Sequence, residues 1–123
     1  MNLPGYEKIP GLTERAIEQI PRFLVGIKRH WKSDPVKSPK IEKALGIKDT
    51  EVRAIVSLLR IKAYPIGSGS KGYWWATRSC ELVSTRDHIQ GRHRRLKAVD
   101  EGLERAQNNL QTGMDYNQME IAL

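Results

Sequence analysis

Thr50, Arg53 and Ser57 recur at intervals of three and four, the spacing of one side of a helix. Interleaved with them and running on to Leu59, Val52, Ile55, Val56 and Leu59 fall at i, i+3, i+4 and i+7, one continuous apolar face. The polar set is therefore expected to look outward. Its chemistry suits the edges of bases. A guanidinium bonds guanine in pairs, a hydroxyl bonds several bases, and the small Ala54 would touch a thymine methyl. Lys48 and Thr50, at the start of the same helix, suit phosphate oxygens, where backbone N–H groups also point outward. Asp49 and Glu51 oppose this, because carboxylates repel phosphate; they are otherwise helix caps and dipole partners. Arg60 is either a phosphate contact or the salt-bridge partner of an acid in its own domain.

A second set lies nearby. Lys71 with Ser68, Gly69 and Ser70 forms a small, flexible, singly charged loop. It is either a simple turn or a finger that settles on a phosphate backbone. Lys37, Lys40 and Lys43 surround the helix before Thr50 and would flank a duplex; a solvated face is the plainer reading of each alone. Tyr73, Trp74 and Trp75 are a stacking platform for bases or, more economically, a strand with one side in the core. Alternation sends Tyr73 and Trp75 one way and Trp74 and Ala76 the other.

The elements that position these residues follow from local rules. Ser38-Pro39 opens a short helix with Ile41, Ala44 and Leu45 on its apolar face. Gly46 can take the positive φ that ends it. Ile47 leads to the second helix, capped by Asp49 or Thr50. This is helix-turn-helix spacing, in which the second helix enters a major groove. Tyr64–Gly67 and Gly72–Ala76 then read as two β-prone runs around Ser68–Lys71, a hairpin.

The run EVRAIVSLLRIKAYPIGSGSKGYWWAT, followed by a charged helix, resembles the winged-helix DNA-binding domains, most of all the small winged-helix proteins of bacteriophages and prophages. The likeness covers roughly residues 21 to 95. It implies a helix in the major groove, a hairpin wing on the backbone and a one- or two-residue strand at Val36 pairing with the hairpin.

Charge agrees with a polyanionic partner. The net charge is +7 over 123 residues. Residues 22–78 carry thirteen Lys/Arg against four acids, and residues 100–123 one Arg against five acids. No apolar run approaches the ~20 residues of a membrane span, and Met1–Pro10 lacks the apolar core of a signal peptide. A single cysteine, Cys80, cannot form an internal disulfide and reads as a packing residue rather than a nucleophile. A cytoplasmic protein is expected. His30, His88 and His93 match no metal-ligand spacing, and neither a phosphate-binding glycine motif nor a hydrolytic constellation is present, so neither cofactor nor catalysis is expected.

The flanks divide as follows. Residues 1–20 are expected to be an arm, with Thr13 capping a short turn. Pro21 kinks one helix or begins the next, the preferred reading being a new helix from Arg22 to about Trp31 that packs Phe23, Leu24, Ile27 and Trp31 together. Residues 21–78 form the winged helix-turn-helix, and 79–111 a long helix capped by Ser79. In that helix Leu82, Ile89, Leu96, Leu103 and Leu110 recur every seven residues, with Thr85, Arg92, Val99 and Ala106 three further on. Leu96, Leu103 and Leu110 are thus a candidate seam for a homodimer, or the stripe of a helix folded back on its own domain. Residues 112–123 are expected to be flexible. Their end, with Gln118, Ile121 and Leu123, resembles the peptides by which bacterial replication proteins dock on the sliding clamp; Ile replaces the commoner Leu, and Leu stands where an aromatic is frequent.

The expected fold is mainly α with a small β-hairpin. The expected function is that of a non-enzymatic, phage- or prophage-type protein binding DNA, double-stranded rather than single-stranded, in replication or transcriptional control. A winged-helix adaptor between proteins, docking on the sliding clamp through the C-terminal peptide, is the alternative.

Overall fold

A computed structural model describes residues 9–115. The chain is mainly helical with one two-stranded antiparallel hairpin and a long helix near the C-terminus. In order these are α1 (Glu14–Ile27), α2 (Ser38–Leu45), α3 (Asp49–Ile61), β1 (Ile66–Gly69), β2 (Gly72–Trp75), a 3₁₀ turn (Ser79–Leu82) and α4 (Val83–Gln111). Two compact units divide between Arg86 and Asp87.

The first helix departs from expectation. It runs unbroken through Pro21, from a Thr13 cap whose hydroxyl accepts from Ala16 N–H at 3.1 Å. Ala16, Ile20, Phe23 and Ile27 make one stripe across the proline, and the burial of that stripe outweighs the lost backbone bond. The last seven residues of the expected arm, 14–20, are thus helix. At the other end α1 stops at Ile27, and Trp31 lies beyond it, 56% exposed instead of packed.

α2 begins at Ser38, with Pro39 in its first turn, and ends at Gly46, where φ is +66°. α3 packs against both α1 and α2. Val52, Ile55, Val56 and Leu59 are buried with Phe23, Ile27, Val36, Ile41, Ile47 and Ile66 in one core. Burial of α3 is wider than its apolar stripe: Glu51, Ala54 and Leu58 are buried too. Only Thr50, Arg53, Ser57 and the terminal Ile61 of α3 are exposed, with Arg60 half-buried.

The hairpin pairs Ile66 with Trp75, Gly67 with Trp74, Ser68 with Tyr73 and Gly69 with Gly72. Its loop is therefore Ser70-Lys71 alone, shorter than the four residues expected, because Ser68 and Gly69 pair with Tyr73 and Gly72 and so belong to β1. Val36 adds the expected bridge, exchanging two backbone bonds of 2.8 Å with Tyr73. Both faces of the hairpin are occupied. Tyr73 and Trp75 pack on the core, while Trp74 and Ala76 are buried on the other side. Trp74 lies so close over Gly67 that a Cβ there would meet its ring at 2.3 Å.

The first turn of α4 closes the outer edge of β1. The Thr85 hydroxyl accepts from Ser68 N–H at 3.0 Å and donates to Ser68 C=O at 3.1 Å, standing in for a further strand. Thr85 therefore belongs to the first unit and leaves the seven-residue repeat. The second unit is a helix that ends at Gln111, after which Gly113 at φ +83° turns the chain. No helix of the described residues is long and apolar enough to cross a membrane.

Candidate nucleic-acid interface

Three elements meet at a shallow polar cleft: the start of α2, the outward side of α3 and the hairpin tip. Lys37, Ser38, Asp49, Arg53, Ser68, Gly69, Ser70, Gly72 and Tyr73 line it. Gly72 makes the approach possible, since a Cβ at its φ of +126° would strike Val36 O at 2.3 Å.

Arg53 is the most prominent group. Its side chain is 72% exposed, and its Nε sits 2.9 Å from Asp49 Oδ2, one turn earlier. Such an exposed pair holds weakly and exchanges readily for another anion. Asp49 is shared between Arg53 and the Ser38 hydroxyl, which donates to Oδ1 and lies 3.1 Å from Glu42 Oε2. Ser38 thus ties α2 to α3 instead of capping α2 as its position suggested. Thr50 and Ser57 stand one turn to either side of Arg53, both exposed.

Glu51 does not face the cleft. It is buried, accepting hydrogen bonds from Thr13 Oγ1, from Arg15 Nε at 3.2 Å and Arg15 Nη2, and from Lys48 N–H at 2.9 Å. The Arg15 and Thr13 bonds, with that of Lys48, hold its carboxyl down to about 2 from an ordinary 4.5. Both acids that seemed to oppose phosphate are accordingly occupied by other groups. The last of these bonds also caps α3 at its N-terminus.

Other expected contacts are relocated. Arg60 is a strut: its Nε donates to Ile66 O at 2.8 Å and its Nη2 to Ser68 Oγ at 2.9 Å. Burial lowers its pKa, and among the described residues no carboxylate pairs with it, so its charge adds to the positive field beneath the hairpin. Ser68, occupied by Arg60 and Thr85, supports the loop more than it is offered to a ligand. Ala54 is buried and cannot touch a base. Lys40 opens onto a different, apolar groove between α1 and α2, lined by Phe23, Ile27 and Ile41. Lys37, Lys48, Ser70 and Lys71 are exposed.

Tyr73 and Ser38 belong to the cleft although sequence reasoning did not assign them there. Tyr73 is half-buried; burial, then Asp49, raises its pKa. The signal for both was present but local: alternation and a helix-start pattern say nothing about which element stands opposite. Leu96, Leu103 and Leu110 are exposed on α4. Gln118, Ile121 and Leu123 lie outside the described residues. Among the described residues no group of three or more His, Cys, Asp or Glu could hold a metal ion, and Cys80 is exposed instead of packed.

No protein-family model, no curated protein and no solved structure matches the chain.

Proposed function

We propose that the first unit is a winged helix-turn-helix, of the phage or prophage kind, that binds double-stranded DNA without catalysis, in replication or transcriptional control. α3 lies in the major groove and the Ser70-Lys71 tip rests on the backbone. One observation carries the reading: on a helix buried on its other sides, the exposed strip is Thr50, Arg53 and Ser57, with Arg53 in one cleft with Lys37 and the hairpin, and with exposed lysines at the start of α3 (Lys48) and in the hairpin loop (Lys71). Arg53 exchanges Asp49 for a guanine edge or a phosphate, a step with little cost because the pair is exposed.

Asp49 and Glu51, as acids on this helix, favour the adaptor reading. Glu51 is turned inward onto Arg15 and Asp49 is paired with Arg53 and Ser38, so neither stands as a free acid on the exposed strip, and the unpaired charges beside it are those of lysines. Charge reversal at Arg53 and Lys71 tests the proposal. Fluorescence anisotropy with labelled duplex is expected to show at least a 100-fold loss of affinity for Arg53→Glu/Lys71→Glu, with an unchanged unfolding midpoint. Unaltered duplex binding would refute it. Retention on the sliding clamp with and without residues 118–123 separately tests the C-terminal peptide; equal retention would eliminate that docking role.

A further inference from the structure

Ile89, Leu96, Val99, Leu103 and Leu110 stand 47–63% exposed along α4, each at a position that a helix pair would cover. A helix of 29 residues with mostly polar surroundings keeps such a stripe in water only at a cost, and heptad spacing names a helix as the cover. The charges along α4 say which helix and which direction.

Residues 86–97 carry five basic side chains and one acid; residues 98–111 carry three acids and one arginine. The two halves of the helix are thus opposite in sign. A second feature is Arg92, which falls on the seam three residues after Ile89, where Val99 and Ala106 fall in later turns. In a parallel two-fold pair every seam residue meets its own copy. Arg92 would then face Arg92 across the axis, basic half beside basic half, and like charges so placed cost several kcal/mol. The compensation is a pair of exposed Arg95–Asp100 contacts, each worth about 0.2–1 kcal/mol.

We propose that α4 pairs antiparallel with α4 of a second copy of this chain, Leu96 opposite Val99. In this arrangement Ile89 meets Ala106, and Arg92 meets Leu103 with Asp100 and Glu104 of the second copy within a turn. The basic half of each helix lies along the acidic half of the other. His93 comes alongside Asp100. Gly91 and Gly102, which have only an arginine tip near them, lower helix stability by roughly 1 kcal/mol each, so the association is reversible. The proposal is independent of DNA binding.

Pulsed electron–electron resonance tests the orientation on the full chain. A single nitroxide is placed by Asn108→Cys in a Cys80→Ser background; Cys80 is exposed and would otherwise be labelled. Asn108 lies on the outer side of the pair, clear of the seam. The antiparallel pair is expected to give one distance of about 30–35 Å, from twenty-one residues of helical rise between the two labels. A parallel pair would give about 15–20 Å from interhelix spacing alone. A short distance overturns the proposal, and so does a monomer by sedimentation velocity at 100 μM or above. A Leu96→Ala/Leu103→Ala control is expected to abolish the dimer while leaving the helical circular-dichroism signal of the first unit.

Discussion

Glu51 is an acid in the first turn of a helix offered to phosphate, and its burial changes what that charge does. Because Arg15, Thr13 and the Lys48 N–H bind the ionised form, its folded pKa of about 2 lies below the ordinary 4.5. A depressed carboxyl stabilises the fold fully above the unfolded value and loses that contribution as pH falls from about 4.5 toward 2. Glu51→Gln is expected to cost about 2 kcal/mol at neutral pH, discounted for the half-exposed Arg15 end. Urea unfolding of both proteins from pH 7 to pH 2.5 checks this: the gap between them should shrink over the lower half of that range. A constant gap would show that packing, not charge, is responsible. Ala63 offers a simpler case. It holds φ at +69° just after α3, where glycine is usual. Ala63→Gly should therefore stabilise by about 0.5–1 kcal/mol in the same assay, since the left-handed strain outweighs the added chain entropy.

At the scale of elements, the hairpin is held from three directions: by Val36 on one edge, by Thr85 on the other, and by Arg60 from below. These bonds fix where Ser70 and Lys71 stand relative to Arg53. Arg60→Met, similar in length but without donors, should leave the helices folded and loosen the tip. Hydrogen exchange at Ser68 and Tyr73 N–H is expected to rise tenfold or more, from loss of two hydrogen bonds worth about 1 kcal/mol each. Gly67→Ala acts differently: with the Trp74 ring in its way, it should destabilise the whole first unit. Unchanged exchange in Arg60→Met would mean that the core, not the strut, positions the hairpin.

For the molecule as a whole, binding is expected to be dominated by phosphate neutralisation. Lys37 and Arg53 line the cleft, and Lys48 and Lys71 are exposed just before α3 and in the hairpin loop. Three or four phosphate contacts give a slope of about −3 in log affinity against log salt, a roughly 60-fold loss from 50 to 200 mM. Anisotropy titrations across that range measure it, and a flat response would exclude phosphate-dominated binding. The dimer responds oppositely in origin: its stripe is apolar and its flanking charges attract, so salt weakens it far less.

The order of elements, the outward side of α3 and the heptad stripe were legible from spacing alone, because helix and strand periods dictate which residues share a face; the Val36 bridge came only from the resemblance, since one residue has no period. What lies opposite a face is set by chain packing over long separations, and only the tertiary structure decided it. Thr13 and Arg15 claim Glu51 from thirty-six or more positions away, and Thr85 is taken from the helix repeat by a strand seventeen residues earlier. Arg60 becomes a support for the same reason. Pro21, read locally as a break, sits within one helix because burial of Phe23 and Ile27 beside Ala16 outweighs a single missing hydrogen bond.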